Sequence, residues 1–232
     1  MKVTWPAILG CLALVFAFGT ATIRSSELMA EGPVVVPSPA FQAPTPKGLQ
    51  TAVFAGGCFW GVQGVFAHVK GVRSVVSGYA GGDAKTARYQ MVGSGRTGHA
   101  EAVKIVYDPA EVRYGELLQI LFSVVADPTT LNYQGPDHGP QYRTAIFPAT
   151  LEQKVTAQRY IAQLDKAAIW RKPIVTRIES GAFYPAETYH QDFLTRNPDN
   201  AYIKAHDLPK VSALKRLFPE QYRSRPVLVR AS

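Results

Sequence analysis

The order of apolar patterns between residues 51 and 147 constrains the fold of this chain more than any other feature. TAVFAG is a short strand pattern that ends at glycine, and apolar residues then recur at helical spacing. The β-rich segments VRSVVSGYA and AEAVKIVYD follow, and after them come the apolar helix pattern YGELLQILFSVV and the strand pattern YRTAIF. Strand, helix, strand, strand, helix, strand is the split βαβ order. It predicts an α+β fold, a ferredoxin-like two-layer α/β sandwich.

The segments after this core predict a C-terminal extension of helices and loops. Thr150 and Gln153 have the spacing of a capping box, and a long amphipathic helix pattern runs from there to about Ile169. PIVTRIE has the composition of another strand, and ETYHQDFLTR and VSALKRLF have the pattern of helices. We therefore expect these elements to extend the sandwich.

The first 48 residues differ in composition from the rest of the chain. Residues 1–24 combine a positive start at Lys2 with the uncharged run WPAILGCLALVFAFGTATI, which predicts a signal peptide or an N-terminal membrane anchor. Residues 25–48 are rich in proline and predict an extended linker. The folded domain is expected at residues 49–232. This organisation predicts an exported protein, either in the bacterial periplasm or anchored in the membrane and facing it.

The composition is typical of a globular domain and does not indicate nucleic-acid binding. Hydrophobic residues make up 47% of the 232 residues, and the formal net charge is +8. The lysines and arginines are scattered and are not interleaved with stacking aromatics, so we expect a solvated basic surface. The five histidines lack the paired spacing of metal ligands, and the glycine-rich segments lack the order of a phosphate-binding loop. The sequence predicts a monomer with no metal site and no bound cofactor.

Cysteine usage directs attention to Cys58. Of the two cysteines, Cys11 lies in the predicted export segment, so the mature domain cannot form an internal disulfide. A lone cysteine is either a small packed side chain or a reactive thiol. Cys58 follows Gly56 and Gly57 at a predicted helix start, where backbone N–H groups and the helix dipole are expected to lower the thiol pKa. This local pattern leaves both alternatives open.

A carboxyl group and two phenols are further candidate site groups. Glu101 shares the predicted inner face of AEAVKIVYD with apolar residues, so burial should raise its pKa and keep it as a proton donor. The alternative is a strand-end glutamate that bends out to solvent. Tyr89 and Tyr142 lie near loop and strand ends and could donate hydrogen bonds to a developing oxyanion, or simply pack. Asp137 and His138 lie in a long loop bounded by glycine and proline, where functional residues are common.

Several motifs, taken together, resemble one enzyme family. GGCFWG, GYAGG, TGHAEAVKIVYDP, GPDHGPQYRTAIF and NPDNAYIKAHDLPKV occur in this order. On these motifs, the chain from about Val53 to Tyr222 resembles the peptide methionine sulfoxide reductases of the A type. The resemblance implies thiol-dependent reduction of the S epimer of methionine sulfoxide, in proteins and possibly as the free amino acid, as repair of oxidative damage.

The resemblance also implies roles in catalysis. Cys58 matches the nucleophile, which would become a sulfenic acid, and Glu101 matches the acid that protonates the sulfoxide oxygen. Tyr89 and Tyr142 match the phenols that hydrogen-bond this oxygen.

The same resemblance implies how the substrate is held. Phe59 and Trp60 match the aromatic residues around the methyl group of the substrate. Asp137 matches a loop residue that shapes the pocket, and His138, which follows it, is assigned to the same substrate-binding loop.

The sequence departs from many relatives in one respect. Those enzymes carry resolving cysteines near the C-terminus, whereas no cysteine follows Cys58 in this chain. An external thiol, thioredoxin-like, glutaredoxin-like or glutathione, is therefore expected to reduce the sulfenic acid. Two other classes of function, another thiol enzyme and a non-catalytic binding module, compete with this prediction. A peroxidase or a cysteine hydrolase would also use Cys58, the latter with a base such as His190, and a non-catalytic module would only bind oxidised methionine.

Overall fold

The computed structural model describes Met1 and residues 32–229. The strands in this part of the chain are β1 (Gln50–Gly56), β2 (Val72–Ala80), β3 (Ala100–Tyr107), β4 (Tyr133–Gln134), β5 (Asp137–His138), β6 (Thr144–Phe147), β7 (Arg177–Ile178) and β8 (Phe183–Pro185). The α-helices are α1 (Phe59–Ala67), α2 (Tyr89–Val92), α3 (Tyr114–Ile120), α4 (Leu151–Ala167), α5 (Phe193–Arg196) and α6 (Leu208–Leu217).

The main sheet has the strand order β7-β6-β1-β3-β2-β8. Within it, β1 pairs antiparallel with both β3 and β6, and β3 pairs antiparallel with β2. Strand β3 therefore separates β1 from β2, the two strands that α1 connects, which is the arrangement of a split βαβ unit. The predicted α+β, ferredoxin-like sandwich is confirmed. Strand β7 adds to one edge in parallel, and β8 adds to the other edge antiparallel.

The two faces of the sheet are packed differently. The inner face and the helices form one large core whose aromatic and aliphatic members, such as Phe54, Phe66 and Ile105, are fully buried. Each such side chain contributes roughly 1.5–3 kcal/mol through burial. The opposite face carries a smaller cluster, mostly alanines, with Phe147. Residues along β3 point alternately to these two faces, and Glu101 is one of those on the inner face.

The described part of the proline-rich segment lies against the domain. The N–H of Val34 donates to the carbonyl of Ser123 at 3.0 Å, and the Gln119 amide donates to the carbonyl of Val36 at 2.8 Å. Val36 itself is fully buried. The backbone is extended, as proline favours, but these residues belong to the packed unit, ahead of the predicted boundary at residue 49. The predicted signal peptide or anchor lies outside the described residues.

The C-terminal extension follows the predicted order with shorter elements. Helix α4 begins after Thr150, whose hydroxyl accepts the N–H of Gln153 at 3.2 Å. PIVTRIE contributes only the two residues of β7, and ETYHQDFLTR is broken before α5 by Asp192, whose φ is +54°. VSALKRLF forms most of α6. Among residues 32–229, none of the helices has both the length and the apolar character needed to cross a bilayer.

Candidate active site

The turn between β1 and α1 places Cys58 at the start of a helix. Gly57 has a φ of +93°, and a Cβ at this position would lie 2.6 Å from the Cβ of Gln134, so glycine is required here. Cys58 is the N-cap residue of α1 and only 8% exposed. The backbone N–H of Trp60 donates to its sulfur. The predicted location of the thiol at a helix start is therefore confirmed.

The expectation that this helix start lowers the pKa of Cys58 is wrong. Burial raises the thiol pKa well above its ordinary value, and the carboxylates of Glu101, Asp207 and Asp137 raise it further. The hydrogen bond from the Trp60 N–H acts in the opposite direction but is outweighed. The resting site consequently holds a protonated thiol, because desolvation and nearby negative charge exceed the effect of the helix terminus.

Glu101 is the carboxyl group with the largest electrostatic effect on this thiol. Its side chain is 3% exposed, and its Oε2 accepts the backbone N–H of Phe59, the residue after Cys58, at 3.0 Å. Burial raises the pKa of Glu101 to about 8, assisted by Asp137 and Asp207 and opposed by the Phe59 N–H. The predicted inward orientation and raised pKa are confirmed. A carboxyl group with this pKa is mostly neutral at pH 7 and can donate a proton.

Two phenols lie within electrostatic reach of the thiol and the acid. Tyr142 ends the short turn Pro140–Tyr142 and is half-buried, and its pKa is raised by burial and then by Glu101, Asp137 and Cys58. Tyr89 begins α2 and is more exposed, and its pKa is raised by burial, Glu101 and Cys58. Both hydroxyl groups therefore remain hydrogen-bond donors.

The aromatic residues after Cys58 occupy different environments. Trp60 is half-buried and stacks on Phe193, with ring centroids 3.9 Å apart. Its Nε1–H donates to Nδ1 of His190 at 3.1 Å, which fixes the orientation of the indole. Phe59 is 1% exposed and packs between Tyr79 and His190. The structure thus leaves Trp60 partly exposed, whereas the Phe59 ring is buried and mainly supports the core.

The structure separates Asp137 from His138. Asp137 is half-buried and accepts a hydrogen bond from the hydroxyl of Tyr202, whose ring meets Trp60 edge-on at 6.0 Å. A cleft of about 400 Å³ opens beside Asp137 and Tyr202. His138 is exposed and stacks on Tyr133, with centroids 5.2 Å apart. Asp137 therefore joins the cluster around Cys58, and His138 points to a neighbouring surface.

Three residues of this neighbourhood were not predicted individually from the sequence. They are His190, which holds Trp60; Tyr202, which holds Asp137; and Asp207, which is fully buried and raises the pKa of both Cys58 and Glu101. His190 was considered only as a possible base, and the other two lie within NPDNAYIKAHDLPKV without a local signal of their own. Their roles depend on how the C-terminal segment folds back over α1.

The groups around Cys58 differ from those that a cysteine hydrolase would need. The groups that shift the pKa of Cys58 are carboxylates and a backbone amide, whereas a hydrolase would pair the thiol with a histidine base. His190 instead uses Nδ1 to accept the Trp60 N–H. Within residues 32–229, no three His, Cys, Asp or Glu side chains are grouped so that they could hold a metal ion.

Comparison with known proteins identifies the family. The family described as "Peptide methionine sulfoxide reductase" matches residues 50–222. The chain is 63% identical to Peptide methionine sulfoxide reductase MsrA 2 of Mesorhizobium japonicum over 78% of this chain and 94% of that protein. It is 48% identical to the protein of the same name from Synechocystis over 92% of this chain and 98% of that protein. The chain belongs to the peptide methionine sulfoxide reductase family.

A solved structure has the same fold. The crystal structure of Mxr1 from Saccharomyces cerevisiae in reduced form superposes with a TM-score of 0.59 at 31% sequence identity. The superposition covers 69% of this chain and 91% of the yeast chain. The family and the fold thus agree with the chemistry of the site.

Proposed function

We propose that this protein reduces the S epimer of methionine sulfoxide by direct attack of Cys58, with Glu101 as the proton donor. The observation that carries the proposal is the hydrogen bond from the Phe59 N–H to Glu101, which holds a mostly neutral acid beside the nucleophile. A sulfoxide oxygen is a poor leaving group until it is protonated, so this chemistry needs both groups in one pocket.

In the first step, Glu101 donates its proton to the sulfoxide oxygen as the sulfur of Cys58 attacks the protonated sulfoxide group. The bond between the oxygen and the methionine sulfur breaks, and the oxygen passes to Cys58, which becomes a sulfenic acid. The proton of the thiol restores Glu101 to its neutral form. Methionine sulfur is reduced and cysteine sulfur is oxidised, so atoms and electrons balance.

Substrate orientation would come from an apolar wall and a polar wall. The partly exposed indole of Trp60, held by Phe193 and His190, suits the methyl group of the substrate. The hydroxyl groups of Tyr89 and Tyr142 would donate hydrogen bonds to the sulfoxide oxygen, which carries partial negative charge. The sulfur atom is a stereocentre, so a pocket with these two walls accepts one epimer.

Oxidised methionine within polypeptides is the substrate that the surroundings of the site favour. The cleft beside Asp137 and Tyr202 is about 400 Å³ and continues past Gly135 and Pro136. This cleft can accommodate the substrate polypeptide on one side of the oxidised residue, whereas free methionine sulfoxide would leave the cleft empty.

The second half of the reaction requires an external thiol. Cys58 is the free cysteine of the described residues, so a thioredoxin-like or glutaredoxin-like protein, or glutathione, would attack the sulfenic acid and release water. A second thiol would then reduce the mixed disulfide, and Cys58 would return to its thiol form. We propose no prosthetic cofactor and a monomeric enzyme.

We also propose export to the bacterial periplasm. The uncharged run in residues 5–23 and the proline-rich residues after it support this location. N-terminal sequencing of the protein purified from its native cell envelope tests the proposal. A terminus near residue 24 indicates cleavage, an intact terminus in the membrane fraction indicates an anchor, and recovery from the cytoplasm contradicts export.

Turnover of separated sulfoxide epimers tests the function itself. Free and peptide-bound methionine sulfoxide are incubated with dithiothreitol and either the wild-type protein or Cys58→Ser. We expect the wild type to consume only the S epimer and the variant to be inactive. Activity retained by Cys58→Ser would reject the nucleophile. Binding of both substrates without turnover would favour a non-catalytic module.

A further inference from the structure

Asp207 is a buried carboxyl group without hydrogen bonds. It is the last residue of the turn Ile203–Asp207, which leads directly into α6, and its side chain is 0% exposed. Neither carboxyl oxygen has a hydrogen-bond partner. The ammonium group of Lys210 lies 3.9 Å from Oδ1, beyond hydrogen-bond distance. An isolated buried charge is costly, so this arrangement needs an explanation.

The packing of α1 makes room for this carboxyl group. A Cβ added at Gly61 would clash with Oδ1 of Asp207, so only glycine fits at this position. Glycine inside a helix costs up to about 1 kcal/mol relative to alanine. Gly61 is the third residue of α1, and Cys58 is the N-cap of the same helix. An N-cap side chain lies near the third residue of its helix, so Asp207 approaches the first turn beside the nucleophile.

The groups around Asp207 come from separate parts of the fold. They are Cys58 at the start of α1, Glu101 on β3, Asp137 on β5, Tyr202 before the turn, and Lys210 on α6, with His206 beside Tyr202. Burial raises the pKa of Asp207 to about 6, and Lys210 opposes this increase. The carboxyl is therefore mostly ionised at pH 7, and Lys210 neutralises it only in part.

We propose that Asp207 is a positioning residue that acts through its charge and keeps Glu101 and Cys58 protonated until methionine sulfoxide enters the site. This role rests on the proposed function. A buried negative charge disfavours ionisation of both neighbours, because the low dielectric of the interior screens it poorly. Glu101 is thereby kept ready to donate its proton, and the thiol is kept less reactive toward other oxidants.

The proposal is tested by two variants with opposite expected effects. Asp207→Asn removes the charge and keeps the shape, so the pH midpoints of Glu101 and Cys58 should both move down by about one pH unit. Lys210→Met removes the partial neutralisation of Asp207, so both midpoints should move up. Asp199→Asn is the control, because this side chain is 93% exposed, and it should leave both midpoints unchanged.

Two measurements report the midpoints separately. The alkaline limb of kcat/KM with the S epimer reports Glu101, and the pH dependence of alkylation by iodoacetamide reports Cys58 without any turnover. Failure of the proposed function would remove the first signal but not the second, so the two failures can be distinguished. Unchanged midpoints in both Asp207→Asn and Lys210→Met, or shifts in the same direction in both, would overturn the proposal. If Asp207→Asn does not fold, Asp207→Ser, which is smaller and also uncharged, replaces it, because Lys210→Met would raise both midpoints through the loss of its own charge as well.

Discussion

The carboxyl group of Glu101 accepts the backbone N–H of Phe59 at 3.0 Å, and Phe59 directly follows Cys58 in the chain. This bond connects the middle of the sheet to the start of α1, so the acid and the thiol are held by two rigid elements. Such a connection keeps their relative positions fixed without requiring a direct hydrogen bond between them.

The protonation state of Glu101 should determine the alkaline limb of activity. Because burial raises its pKa to about 8, kcat/KM for the sulfoxide should fall as the pH rises through 8 and the acid loses its proton. Glu101→Gln keeps the shape but cannot donate, and we expect a loss of about 10²–10⁴-fold in kcat and disappearance of this limb. Stopped-flow kinetics of the first turnover measure the rate of reduction and its alkaline limb. An unchanged alkaline limb in Glu101→Gln would assign the titration to another group.

The same carboxyl group should make stability depend on pH. Its pKa is higher in the folded state, about 8, than its ordinary value of 4.5, so the folded protein binds more protons between these values. The contribution of Glu101 to the free energy of unfolding is therefore fully present below pH 4.5 and is lost as the pH rises through 8. Asp207 adds a contribution of the same sign between its ordinary value of 3.8 and about 6.

Urea unfolding at pH 6.5 and pH 8.5 checks this linkage. The wild type should lose more stability than Glu101→Gln between the two values, because glutamine does not titrate, whereas Asp207 titrates in both proteins and mainly below this interval. Equal losses in the two proteins would show that Glu101 is not the linked group.

The bond between Trp60 and His190 should control substrate affinity. Nδ1 of His190 must be unprotonated to accept the indole N–H at 3.1 Å. Trp60→Phe keeps an aromatic wall but loses this bond, so we expect KM to rise several-fold while kcat changes less. Steady-state kinetics with an oxidised peptide measure the two constants. A fall in kcat with unchanged KM would mean that the indole acts in the chemical step and not in orientation.

Gly57 should be required for the turn before the nucleophile. Gly57→Ala combines a φ of +93° with a Cβ that would lie 2.6 Å from Gln134, and we expect a loss of more than about 1 kcal/mol of stability. Gly135→Ala is the matched control, because Gly135 has a φ of +55° but open space around it. Chemical denaturation should show the larger loss for Gly57→Ala. Similar losses in the two variants would show that backbone strain, and not the clash with Gln134, causes the effect.

The sheet and the inward acid could be predicted from the sequence because they depend on local periodicity. The alternation in AEAVKIVYD fixes the inner face of β3, and the order of the strand patterns fixes the split βαβ topology. The position of Cys58 at a helix start is likewise local, since it follows two glycines and precedes apolar residues at helical spacing.

The electrostatics of the thiol could not be predicted in the same way. The sign of the pKa shift of Cys58 depends on burial and on Asp137 and Asp207, which are far away in sequence. The contacts of His190 with Trp60 and of Tyr202 with Asp137 also arise only when the C-terminal segment folds back. The proposed roles of the site residues stay predictions until their variants are measured.

Mass spectrometry of the wild-type protein after one turnover tests the central claim most directly. The enzyme is mixed with one equivalent of the S epimer without any reductant, and dimedone traps sulfenic acid. We predict one equivalent of methionine and one trapped sulfenic acid, located on Cys58. Release of methionine while Cys58 remains an unmodified thiol would contradict it.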